Sequence, residues 1–397
     1  MLNRRHILRS LAASCAAGVA ATTLPKIAFA QTGGAARFVF VQLRGAMDGL
    51  ASFVPYGDPH YQGTRGSLAL HRGDLIDLDG LFGLAPGLAG LKPAWDAGQL
   101  LPFHAASIPV RTRSHFDAQY ILETGLHDGA SSGSGWLNRA VGALGGNRTP
   151  GITLGISLGQ GIPVSLSGPA PITTWAPSRF DTSEDPIIAA LSDLYAADPQ
   201  LGPRFAEALN LESLATSDMA MMDGRGNNQA FSGLMDAAGK FLAAENGPRI
   251  AAVDLSGWDT HRSQGTTGGL LARQHGQLVA GIGALQSALG PIWDQTIVVV
   301  MTEFGRTAHA NGSGGTDHGT GGAGFLIGGA LSGGSQVLTD WPGLSTTALY
   351  QGRDLRPTLD TRAILKGVLH DHMQVSNAAL SHIFPQSDAA AKIGILA

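Results

Sequence analysis

The chain is 397 residues long and 44% hydrophobic, with 56 glycines and only 14% charged residues. That composition belongs to a globular protein with a large core and many tight turns, and it excludes a disordered chain. A formal net charge of −4 argues against general binding of nucleic acid or of an anionic membrane surface.

Residues 1–30 read as a processing segment. Asn3-Arg4-Arg5-His6-Ile7-Leu8 is a twin-arginine pattern, an Ala-rich apolar stretch runs from Leu11 to Leu24, and Ala28-Phe29-Ala30 offers a small-x-small cleavage site. Together they suggest a twin-arginine export signal and not a stable membrane anchor. The expected partner is therefore the export machinery, and the expected location is the periplasm or the medium. Removing Arg4, Arg5, Arg9 and Lys26, with no acidic residue, takes the net charge from −4 to −8. The one cysteine, Cys15, also goes, so any metal in the mature chain must be held by oxygen and imidazole.

The first strand of the mature chain is Arg37 to Leu43, ending in a Gly-flanked turn around Asp48. Asp in such a turn either bonds its own backbone or faces a site, and Arg44 is read as ordering that turn. Tyr56 to Gly80 is polar and turn-rich. Leu88, Leu91 and Trp95 have helical spacing, and Gln99 to Ala106 suggests a second strand. Ser114 then stands where a helix N-cap would, ahead of Phe116, Tyr120 and Leu122. Just past a strand end and beside Arg111 and Arg113, it suits a plain cap, an anion site or an activated nucleophile.

Trp136 begins another helix, Ile152 to Pro177 suggests strands and loops near a sheet edge, and Asp185 to Lys240 is mostly helical with an interruption at Gly224–Asn228. Ile250 to Leu255 is a strand that runs into Gly257-Trp258-Asp259-Thr260-His261, with Trp258 read as packing. Leu270 to Ala288 is a long helix. It feeds Ile297-Val298-Val299-Val300, the β-branched pattern of a strand buried on both faces. Polar chemistry begins where that run stops: Thr302, Glu303, Arg306, then a glycine-rich loop with Asp317 and His318. Phe325 to Ala330 is a further strand and Leu359 to Leu369 a last helix. His370-Asp371-His372 is read as a solvated surface feature.

Strands alternating with helices predict one α/β domain over residues 31–397, with a largely parallel sheet. In such sheets the carboxyl ends of the strands gather ligands. Asp48, Ser114, Asp259 with His261, and Glu303 with Asp317-His318 all fall at those ends. Carboxylates and imidazoles collected on one edge would repel or need burial, unless a cation neutralises them.

The order acid, serine, Asp-plus-His, acid, His resembles the alkaline-phosphatase, sulfatase and cofactor-independent phosphoglycerate mutase superfamily. More narrowly, LRGAMDGL, RSHFDAQ, GWDTH, TEFGRT and GTDHG resemble a bacterial family of exported proteins known only as a domain of unknown function. The first resemblance implies a three-layer α/β/α sandwich, alkaline-phosphatase-like, with one or two divalent ions (Zn, Mn, Mg or Ca) beside a nucleophile. Carried over by residue, it implies Asp48, Asp259, His261, Glu303 and His318 as metal ligands, with Asp317 or His115 able to compensate where Phe304 replaces the usual histidine. Ser114 would be the nucleophile, and Arg113 or Arg306 would hold an anionic ester. The implied activity is hydrolysis of phosphate or sulfate esters, on a small-molecule or polymer substrate. The alternative is a binding or assembly protein that kept the fold and lost the chemistry.

Overall fold

The computed structural model describes residues 36–129, 132–145, 153–177, 186–196, 198, 201–215, 227–331 and 336–395. The twin-arginine segment lies outside them, as do Gly224, Arg225 and Gly226 of the expected helix interruption. Among the described residues no helix is long and apolar enough to cross a membrane.

Eleven strands are described: β1 Arg37–Arg44, β2 Phe53–Val54, β3 Ile76–Asp77, β4 Gly83–Leu84, β5 Leu100–Ser107, β6 Gly155–Leu158, β7 Ile172–Trp175, β8 Ile250–Ser256, β9 Thr296–Thr302, β10 Gly322–Ile327 and β11 Leu359–Asp360. Eight of them form one sheet in the order β11-β5-β10-β9-β1-β8-β6-β7. Seven share a direction. β10 alone runs against them, antiparallel to both β5 and β9. The sheet is mixed α/β and mostly parallel, as the alternation of elements predicts.

Period-two alternation in the central strands builds the layers. Val39, Val41 and Leu43 of β1, with Val298 and Val300 of β9, pack on one face with Phe231, Met235, Leu278 and Ile282. Those four come from the helices Asn227–Ala243 and Leu270–Leu289. Phe38, Phe40, Ile297, Val299 and Met301 point the other way, onto Ile121, Leu122, Trp136, Leu137, Ile364 and Leu365. Those belong to the helices His115–Thr124, Trp136–Ala143 and Thr361–Gly367. Helices therefore cover both faces, which explains why β9 reads as an unbroken apolar run.

Several expectations are corrected. The turn-rich stretch 56–80 holds a helix, Tyr61–Arg65, and β3, which joins a small antiparallel sheet ordered β2-β4-β3. Two-residue strands are too short to show a period. Arg44 does not order the Asp48 turn; its guanidinium bonds Asp254, Glu123 and Gln119. His372 is not on the surface: it is 8% exposed, and its Nε2 lies 2.8 Å from the Arg37 carbonyl. Trp258 is fully buried, as packing requires.

Asp48 is also buried, and its Oδ2 accepts from Arg65 at 2.5 Å and from Gln264 Nε2 at 2.8 Å. Arg65 is itself without exposure and holds the carbonyls of Thr307 and Ala308. An ion pair removed from water this fully is costly to break from one side, because the survivor stays buried and unpaired. Arg65→Met should therefore lower stability by about 3–5 kcal/mol, read as a shift of the urea midpoint. A change under about 1 kcal/mol, the range of surface pairs, would contradict a buried pair.

Candidate metal centre

The carboxyl ends of β5, β8 and β9 deliver three segments to one place. After β5, a short loop ends at Ser114, which caps the helix His115–Thr124 by accepting from the Asp117 N–H. After β8 comes the loop bearing Asp259 and His261, and after β9 come Glu303, Arg306 and, at the end of the glycine-rich loop, His318. Gly45 makes the approach possible. It sits at φ +116°, and a Cβ there would lie 2.6 Å from the Asp259 nitrogen. Gly305 does the same on the other side, where a Cβ would meet the Gly321 carbonyl at 1.9 Å.

Three imidazoles are each fixed through Nδ1. That of His115 lies 2.7 Å from Glu303 Oε1, that of His318 lies 2.8 Å from the Arg113 carbonyl, and that of His261 lies 3.1 Å from Asp317 Oδ1. A carbonyl or a carboxylate can only accept, so each Nδ1 must donate, and in the neutral ring each Nε2 presents a lone pair. The Nε2 atoms of His115 and His261 both approach that of His318. His318 Nε2 is 3.0 Å from that of His115 and 2.9 Å from that of His261.

Asp259 closes the group. Its Oδ1 is 3.1 Å from His261 Nε2 and 3.3 Å from His318 Nε2, and its Oδ2 is 3.5 Å from His115 Nε2. One ligand atom from each of His115, Asp259 and His318 falls within 4.8 Å of the others, and His261 joins through its two short contacts. Lone pairs 3 Å apart repel unless a proton or a cation lies between them. Donors about 2.0–2.1 Å from a tetrahedral ion are about 3.3 Å apart, and the contacts of His318 and Asp259 with each other and with His115 and His261 run from 2.9 to 3.5 Å. The donor set therefore fits a divalent ion.

The neighbouring charges prepare the ligands. Glu303 is fully buried; its Oε1 also accepts from the Gly45 N–H and Gln119 Nε2, and its Oε2 from Thr302 Oγ1. Burial pushes its pKa up, but the bonds from His115, Gln119 and the backbone outweigh burial and hold it below the usual carboxylate value. The same bond is the main cause that raises His115 above an ordinary imidazole. His318 is lowered, chiefly by burial. Burial also works to raise Asp259, yet the buried Arg306, 2.5 Å from its Oδ1, leaves it lowered.

The structure thus brings Asp259, His261 and His318 together and adds His115. Glu303 and Asp317, read in the sequence as ligands, stand one step back and orient His115 and His261. Asp48 is elsewhere, bound by Arg65. The guanidinium of Arg113 is held by Asp354 and Gln351, so this residue gives the centre its carbonyl instead. Sequence reasoning missed Gln119, although it lies one helical turn after His115, the spacing that puts two side chains on one face.

Among families of known sequence, the one described as "Protein of unknown function (DUF1501)" matches residues 98–384. The chain belongs to the DUF1501 family. The DUF1501 match contains all four converging residues and begins after Asp48. No curated protein matches the chain. Similar solved structures include the C-terminal periplasmic domain of EcEptC from Escherichia coli in complex with Zn (10% identity, 75% of this chain and 74% of that one, TM-score 0.36). TAB5 alkaline phosphatase with Mg bound matches at 12% identity over 74% and 91%, TM-score 0.34. A 2-O GAG sulfatase matches at 11% identity over 76% and 66%, TM-score 0.37. Scores this low assign nothing to individual residues.

In the metal-free protein Glu303 ties the stability of the fold to the protonation of His115. Its pKa is raised by Glu303, so the pair stabilises the fold fully below the unfolded imidazole value and loses this as pH rises through the folded value. Metal uptake needs the neutral ring, so it should strengthen over that same rise. Glu303→Gln should move the pH midpoint of zinc uptake downward and weaken binding in mildly alkaline buffer by about 10–100-fold. Unchanged affinity and midpoint would show that Glu303 does not prepare His115.

Proposed function

We propose that this chain is a metal-dependent hydrolase of phosphate or sulfate esters that acts after export. The observation that carries this reading is the convergence of His115, His261 and His318 Nε2 on Asp259 at an exposed strand edge. Half-exposed side chains there can meet a substrate, which a closed structural site would not allow. The nitrogen-rich donor set favours zinc over manganese, magnesium or calcium. Export rests on the Arg4-Arg5 segment.

A divalent ion held by these four residues would polarise the ester and stabilise its developing negative charge. The protein's own groups do the rest. Glu303, the Arg113 carbonyl and Asp317 keep the three rings in their Nδ1–H tautomer. Arg306 keeps Asp259 ionised and fixed. Ser114, between the Arg113 carbonyl and His115, is the proposed nucleophile: its Oγ bonds to phosphorus or sulfur as the alcohol leaves, and water then releases it. Its accepted bond from Asp117 is 3.4 Å long and uses a lone pair, not the hydroxyl proton.

One observation favours a second reading, a metal-holding binding or assembly protein. The guanidinium groups of Arg113 and Arg306 are committed to Asp354 and Asp259, so neither is left to hold an ester anion. Turnover separates the two. Zinc- or manganese-loaded protein should hydrolyse 4-nitrophenyl phosphate or sulfate, and Ser114→Ala should cut kcat by about a thousandfold or more while metal content stays unchanged. Equal turnover in the variant would remove Ser114 as nucleophile, and no turnover by metal-loaded protein across an ester panel would favour the second reading.

A further inference from the structure

Beside the metal centre lies a groove of about 600 Å³, at the carboxyl ends of β1, β6 and β8. Its size is that of a small-molecule site. One wall is the face of the helix His115–Thr124 that carries Phe116, Gln119, Tyr120 and Glu123, and the opposite wall is the loop that follows β6.

Three features say what the groove takes. The first is continuity with the centre. Phe116 of the groove follows His115 directly, and Gln119 accepts from Arg44 at 2.7 Å while donating to Glu303 at 2.9 Å. A chain of bonds therefore runs from groove to metal ligand: Arg44, Gln119, Glu303, His115.

The second is apolar exposure. Six large hydrophobic side chains stand exposed among the described residues, and three of them line this groove: Phe116 at 90%, Ile162 at 53% and Val164 at 38%. Scattered exposed apolar residues need no explanation, but their gathering on one concave surface does.

The third is charge. Arg44 is matched by two carboxylates, Asp254 and Glu123, and Asp254 is still 38% exposed. The groove's charge is thus on the acidic side, unsuited to the anionic end of an ester and suited to hydroxyl donors.

An aromatic face beside a carboxylate and an amide recognises a ring with an apolar C–H face and a rim of hydroxyls. We infer that the groove binds the pyranose ring of a saccharide, placing an ester on that saccharide at the metal centre. The placement of the ester rests on the hydrolase reading above. Binding of the ring does not.

The test is saturation-transfer NMR with a panel of neutral methyl pyranosides and the matching trisaccharides, on the full protein before and after metal removal. At least one sugar should bind in both states. Phe116→Ala and Ile162→Ser, both of exposed side chains, should each weaken it by about tenfold, the order expected for one lost aromatic or apolar contact. No binding by any member of the panel would overturn the inference, as would binding that neither substitution changes. Sugar binding without ester turnover leaves the groove assigned and sinks the hydrolase reading. Turnover of small esters without sugar binding does the reverse.

Discussion

A single buried carboxylate organises the candidate site. Glu303 sits at the end of the fully buried β9, where it has no water to bond. An ionised group in that position is tolerable only if its oxygens are filled by donors. The donors come from three separate parts of the chain: the Gly45 N–H just after β1, and Gln119 and His115 of the capped helix, with Thr302 of its own strand closing the set. Satisfying Glu303 therefore locks β1, β9 and the helix His115–Thr124 in register with one another. It also decides which nitrogen of His115 carries the proton, and so which nitrogen faces the other ligands.

The same logic explains why so many acidic residues crowd one sheet edge without unfolding it. Four of these carboxylates are paired with an arginine, although Asp254 shares its arginine with Glu123. Asp48 has Arg65, Asp259 has Arg306, Asp254 has Arg44 and Asp354 has Arg113. The imidazole lone pairs have no such partner, and these are the groups that a cation would satisfy. Arginines spent this way cannot also serve as anion clamps, so any ester would have to rely on the ion for most of its charge stabilisation.

Much of this was legible in the sequence. The β-branched run Ile297–Val300 announced a strand buried on both faces, and the position of polar residues immediately after strand runs announced the edge at which Asp259, His261 and His318 meet. Ser114 announced a helix start. What could not be read was pairing at a distance. Nothing local distinguishes Asp48, which meets an arginine 17 positions on, from Asp259, which meets histidines as well as Arg306. Nor does sequence spacing show that Glu303 is buried deeply enough to be consumed in orienting His115. The Asp-x-His of the GWDTH motif brings two side chains to one place from a loop that packs closely on Gly45. The direction of β10 was equally hidden, because a short apolar run looks the same in either direction.

His115, Asp259 and His318, with His261 against them, are the proposed seat of one divalent ion. Mass-spectrometric metal content of exported, purified protein tests it most directly, with wild type set beside an Asp259→Ala/His318→Ala double variant and folding followed by circular dichroism. Close to one equivalent of a transition metal is expected in the wild type, with its loss in a variant that is still folded. Metal retained by the folded variant, or absent from a wild type purified without chelator and then offered zinc, would contradict it.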